Sequence, residues 1–314
     1  MAVLPYAYQV TKYDPADRNE HRHYQGAVDS ISDHGPLEAA YLEAVAAFAE
    51  DSGVTELEIR EPGVAGRITF GREAPIEGDG LIGLFPDRAD FHDGAVVPVP
   101  VGVALVRAML RDHGAWCRLE VEGRFFAHVG YDQYLFVGST TPCERAIARV
   151  TALGLFVEPI DHSPYDIAFD EVEPQRPADD AFWAEVAALC PVTLEEGYLT
   201  NASRWHRVGP ADVDDVRARL APRSWLMVWP ELAPVDSALA SLPEGCALVV
   251  REDADGSITC VPVEEEDYAE LPAYLSGARA ALVHSGYAEV EVPLLTAVLP
   301  DADGVVRARW AASF

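Results

Sequence analysis

The stretch from 115 to 138 limits the fold more than any other part of the chain. Three short runs rich in Val, Phe, Leu and Tyr, at 115–121, 124–130 and 133–138, are separated only by Glu122-Gly123 and Tyr131-Asp132. A two-residue connection cannot carry the chain back across a sheet, so neighbouring strands must run antiparallel. Parallel pairing would need a crossover of a dozen residues or more. An antiparallel meander is therefore predicted here.

Helical spacing of apolar residues predicts three helices around this meander. One spans 37–50, opened by Asp33 and Pro36 and closed by Gly53; one spans 101–112, stopped by Gly114; one spans 142–152, opened by Thr140 or Thr141 and closed by Gly154. Strands are expected at 4–12, 54–60, 68–70 and 155–157. Further on, helices at 180–189, 211–220, 235–242 and 268–275 are interleaved with strands at 225–229, 246–251, 257–263, 280–284, 294–299 and 305–310. Asp253-Ala254-Asp255-Gly256 and Asp301-Ala302-Asp303-Gly304 mark two hairpin turns. The order is mixed rather than strictly β-α-β, which gives an α+β fold with mostly antiparallel sheets. A length of 314 residues suggests about two domains. An acidic, Pro-rich linker at 159–180, with Pro159, Pro164, Pro174 and Pro177, is expected to divide an α+β domain at 1–175 from a second at 176–314.

Charge narrows the function. The chain carries 23 Lys+Arg against 52 Asp+Glu, a net charge of −29, and Lys12 is its one lysine. Lys12 lies outside any glycine-rich loop, so phosphate-loop chemistry is excluded, and a lysine Schiff base would have to use Lys12 alone. The charge is uneven: −11 over 1–100, neutral over 101–160, −9 over 161–199, +2 over 200–229 and −13 over 230–304. Any phosphate contact belongs in the two non-acidic stretches. Broad duplex DNA binding is not expected of such a chain. No run reaches 18 apolar residues, and the start has no charged segment followed by an apolar one, so neither a membrane span nor a signal peptide is expected. Cys117, Cys143, Cys190, Cys246 and Cys260 lie at least 14 apart and do not suggest disulfides or structural zinc. Arginine in place of lysine, with abundant Ala, Val and Gly, matches a GC-rich bacterial coding bias, and a cytoplasmic location is expected.

Catalytic motifs are weak. Gly78-Asp79-Gly80-Leu81-Ile82-Gly83 matches a dinucleotide fingerprint in letters, yet Pro75 before it and Pro86 after it deny it the strand and helix that the fingerprint needs. His21 and His23 lie in a polar loop, which suits solvation better than metal ligation. Ser32-Asp33-His34 reads as helix capping rather than a triad, since triads assemble in space. No catalytic residue, cofactor or metal is assigned. An enzyme would need a pocket lined by several of His34, His92, Cys117, His128 and Asp132.

The most distinctive local grouping is Asn201-Ala202-Ser203-Arg204-Trp205-His206-Arg207. Two arginines, an indole and an imidazole can stack on unpaired bases and meet phosphate. The alternative is a domain-facing patch that pairs with the acidic linker. Arg118 and Arg124, with Phe125, Tyr131 and Tyr134 on the meander, form a second grouping of this kind.

Several stretches resemble a group of actinobacterial proteins described as RNA-binding. They are 8–18, Ser32-Asp33-His34-Gly35-Pro36, Gly114-Ala115-Trp116-Cys117-Arg118-Leu119-Glu120, His128-Val129-Gly130-Tyr131-Asp132-Gln133-Tyr134 and Asn201-Ala202-Ser203-Arg204-Trp205-His206. Longer members of that group carry a C-terminal OB-fold domain of the ribosomal small-subunit protein-one type. In them it follows the segment similar to 299–310, so this chain is expected to match the accessory region and to lack that module. The resemblance implies a non-enzymatic binding or regulatory protein whose partner is RNA or a ribonucleoprotein, with Arg204, Trp205, His206, Arg207, Arg118 and Arg124 in contact. The acidic flanks suggest an alternative, an inhibitor- or immunity-type module that caps a basic protein. A small-molecule enzyme built on the pocket residues above is the third expectation.

Overall fold

The computed structural model describes residues 4–21, 23–69, 81, 83–85, 90–165, 175–286 and 292–310, without the side chains of 65–69 and Tyr198. The fold is α+β. It divides into two compact units, Met1–Ala65 with Pro75–Val172, and Gly66–Ala74 with Glu173–Phe314.

The first unit is built on a sheet in the order β2-β4-β5-β6-β1-β7. Its strands are β1 (Tyr6–Thr11), β2 (Glu56–Thr69), β4 (Ala115–Val121), β5 (Phe125–Val129), β6 (Leu135–Ser139) and β7 (Phe156–Ile160). A short β3 (Val96–Pro98) also pairs with β2. The meander β4-β5-β6 is antiparallel as expected, with Glu120 opposite Phe126 and His128 opposite Phe136. Gly138 lies opposite Phe126, and a Cβ there would meet the ring at 2.1 Å. One face of the sheet is apolar and meets helices. Leu57, Ile59, Leu119, Ala127, Val129 and Val137 are buried, as are Tyr41 and Phe48 of α1 (Pro36–Asp51) and Leu105 and Val106 of α2 (Val99–Leu110).

Three expectations in this unit are corrected. The strands expected at 54–60 and 68–70 are one strand, β2, because the glycines between them accommodate a bulge at 60–63 instead of a break. Phe70 lies outside the described residues. The helix α3 (Glu144–Ala152) is not opened by Thr140 or Thr141; Asp51, at the end of α1, accepts the Ala146 N–H at 2.8 Å. The expected linker begins as structure. β7 runs to Ile160, and its Pro159 is tolerated because β7 pairs only with β1 in this sheet. Ser163 is wholly buried.

The second unit has four layers. Helices α4 (Asp180–Leu189) and α5 (Val213–Arg217) cover one face of the strands β8 (Val192–Val208), β9 (Trp225–Pro230) and β13 (Leu295–Val298), through Phe182, Trp183, Val186, Leu194, Leu226 and Val228. The opposite face packs Trp205, Met227 and Trp229 on Val250, Cys260 and Ala280 of a second sheet. That sheet has the order β11-β10-β12, with β10 (Ala247–Glu252), β11 (Ile258–Val263) and β12 (Ala280–Ser285). Its other face is covered by α6 (Val235–Leu239) and α7 (Leu271–Tyr274). Ala178, placed in the linker by sequence, is buried in the α4 core. The helices expected at 211–220, 235–242 and 268–275 are single turns or little more. Residues 305–310 do not form the expected second hairpin arm. Arg307 folds back on Asp301 and Asp303, and the Trp310 indole donates to the Arg223 carbonyl.

The start of α1 shows how charge is used inside the fold. Asp33 caps it from outside, its carboxylate accepting the N–H groups of Gly35, Leu37 and Glu38. Glu38, 4% exposed, accepts two bonds from Arg111 at 2.7 and 2.6 Å and one from Ser32 at 2.7 Å. The Arg111 contact holds the Glu38 carboxyl below its ordinary 4.5; burial opposes this and the Ser32 hydroxyl reinforces it. A lowered folded-state value stabilises the fold above the ordinary glutamate range, and that stability is lost as pH falls through the lowered value. Glu38→Gln should cost about 1.5–3 kcal/mol near pH 7 and remove much of the wild-type loss on acidification. Denaturant unfolding at neutral and acidic pH measures both.

Candidate functional site

The residues 201–207 lie in the later part of β8, which doubles back near Asn201 (φ 67) so that Arg204 and His206 come beside Glu196, and strand alternation divides them. Trp205 points into the core between the two sheets of its unit, 5% exposed, and its indole donates to Ser203 Oγ at 3.1 Å. It is not available to stack on a base. Arg204 and His206 turn the other way, to Glu196, at 3.5 and 2.8 Å. Arg207 bonds Glu252 at 3.0 Å and also Glu231.

Glu196 is the centre of this arrangement. It has no exposed surface, and besides Arg204 and His206 it accepts the Ala221 N–H at 2.7 Å and the Ser224 hydroxyl at 3.2 Å. A buried carboxylate needs such partners, since desolvation alone costs several kcal/mol. Its neighbour Glu195 faces the opposite side and accepts the Trp229 indole N–H at 3.1 Å. The Trp229 ring stacks on His284, centroids 4.1 Å apart, and His284 is itself buried. Two adjacent acids within an apolar strand pattern were the signal for this pair, one carboxylate being delivered to each face.

Arg118 and Arg124 have separate roles. Arg124 is exposed and reaches the carbonyls of Ser52 and Gly53, at 3.4 and 3.3 Å, where a cation suits the end of α1. Arg118 lies on the polar face of the first unit's sheet, directly opposite Arg60 on β2 and His128 on β5. Like charges facing one another across a ladder repel. Here Arg60 meets Asp93 at 3.2 Å and Glu58 at 3.5 Å, while Arg118 meets Glu61 at 3.0 Å and the Tyr165 carbonyl at 2.5 Å. The bulge on β2, with Glu61 at φ 49, accompanies the Glu61–Arg118 pair.

The pocket candidates are not gathered into one cavity. Cys117 is on the apolar face of β4 and His128 on the polar face across the ladder, so the sheet separates them. Burial pushes the Cys117 thiol far above its ordinary value, which leaves it unreactive. His34 is exposed at the head of α1 beside His113, ring centroids 6.2 Å apart. His92 bonds the Asp93 carbonyl through Nδ1 at 2.8 Å. His128 has Ser163 Oγ at 3.0 Å from Nδ1 and Glu120 at 3.4 Å from Nε2. This hydroxyl–imidazole–carboxylate series is buried throughout, and the Tyr165 N–H donates into Ser163 Oγ, so it ties 163–165 to the sheet. Asp132 sits on the turn Tyr131–Gln133.

Among the described residues, no three His, Cys, Asp or Glu side chains are grouped to hold a metal ion, and no helix is long and apolar enough to cross a membrane. Most of the glycine run at 78–83 lies outside the described residues. Glu196→Ala should cost roughly 3–5 kcal/mol, because it leaves Arg204 and His206 without their buried partner, and Arg204→Ala much less. Chemical denaturation of the two variants tests the ranking.

Comparison with family models, with curated proteins and with solved structures finds no match to this chain.

Proposed function

We propose that this chain is a non-enzymatic binding protein that docks on a basic protein surface. One observation carries the reading: among the described residues, many of its few cations are paired within its own structure. Lys12, Arg18, Arg60, Arg111, Arg118, Arg207 and Arg223 each face a carboxylate, and Arg124 and Arg219 bind backbone carbonyls. A phosphate backbone is neutralised by cations that are not already paired. Acids, in contrast, remain at the surface, as at Glu264, Glu265, Glu266, Asp267 and Glu270. Opposite charge on a partner accelerates encounter and sets orientation, and salt screens it.

The resemblance to RNA-binding proteins makes RNA the competing partner. Immobilised chain exposed to lysate of its source organism, with RNA and protein identified in one eluate, separates the two. A basic protein should be retained at low salt, released at high salt, unaffected by nuclease, and recaptured when purified. Recovery of RNA without protein, or of no protein, sinks the reading.

A further inference from the structure

The turn Tyr131–Gln133 presents an aromatic ring to solvent, with the partly exposed Asp132 next to it in sequence, on a backbone that is firmly held. Tyr131 is 86% exposed, the most exposed large hydrophobic side chain among the described residues. Asp132 and Gln133 follow with φ of 55 and 59, left-handed conformations that are uncommon outside glycine. The Gln133 side chain, 1% exposed, anchors them: its amide donates to the carbonyls of Asp29 and Ile31 at 2.9 and 2.8 Å. The Gln133 carbonyl accepts the hydroxyl of the fully buried Tyr41 at 2.7 Å. Gly130 and Tyr134 close the turn through an N–H to carbonyl bond at 2.7 Å. These bonds bring the 29–31 loop against the turn, and Ile31 is half exposed there. Backbone held in disfavoured conformations by surrounding contacts recurs at recognition sites.

We infer that Tyr131 and Asp132 form the contact point for an arginine side chain on the basic partner. The inference rests on the basic-partner reading and names its surface. A guanidinium stacks on the tyrosine ring and pairs with the adjacent carboxylate, whereas an ammonium gains less from the ring face. A carboxylate at this position disfavours a phosphate backbone. Because the turn is already ordered, docking spends little conformational entropy on it.

The test uses the purified full chain, fluorescent oligo-arginine and oligo-lysine peptides of equal length, and single-stranded RNA, by anisotropy at low and physiological salt. Wild type should prefer the arginine peptide. Tyr131→Ala should weaken it about twofold to fivefold and erase the preference over lysine, while Tyr131→Phe keeps both. Asp132→Asn, which tolerates the left-handed backbone, should weaken the arginine peptide by a similar factor. The paired change Glu264→Gln with Glu266→Gln should lower both peptides equally. The melting temperature of Tyr131→Ala should match wild type, because the ring is exposed. If wild type binds basic peptides but Tyr131→Ala is indistinguishable from it, this contact is wrong and the basic-partner reading stands. If neither peptide binds at low salt, or RNA binds in preference, both fall.

Discussion

Pairing of scarce cations with buried carboxylates is the constraint on which the rest of this structure depends. An ion taken out of water without a partner costs several kcal/mol, a large share of a domain's whole margin of stability. The chain nevertheless places Arg60 and Arg118 opposite one another on neighbouring strands, and it buries Glu196 on β8. Each arrangement holds because the opposite charge arrives from a distant point of the chain or from another strand: Asp93 from the segment before β3 and Glu61 from the bulge, and, for Glu196, Arg204 and His206 from further along β8 itself.

Much of the architecture was legible from local punctuation. The glycine turns fixed the meander and the β10-β11 hairpin, and Asp33, Pro36 and Gly53 bounded α1 closely. The misreadings share one physical cause: a local signal was overruled by a distant partner. Gly63 suggested a strand break, but it opposes Trp116 just past a bulge. The turn at 301–304 suggested a hairpin, but Arg307 and Trp310 are held by side-chain and carbonyl contacts instead of a ladder. The proline-rich segment does contain the division between the two units, but its ends are built into them, with Ser163 and Ala178 both buried.

The candidate site was legible as composition and not as geometry. Arginine, tryptophan and histidine at 204–207 are an unusual grouping in an acidic chain, and composition alone cannot tell a nucleic-acid grip from an internal salt-bridge network. The answer lay in Glu196, Glu231 and Glu252, which the segment meets only after folding. Tyr131 is the reverse case. In sequence it is part of the connection between two meander strands, and the structure adds that its ring projects outward.

The lone lysine has a practical consequence. Lys12 is held against Asp29 at 2.5 Å, and Asp29 belongs to the loop whose carbonyl helps to anchor Gln133. Side-chain amine chemistry therefore has a single address on this molecule, linked through Asp29 to the turn that bears Tyr131. Acylating that amine would remove its charge and release the Asp29 carboxylate, so a reagent meant only to tag or tether the protein would also perturb the ground on which the turn stands.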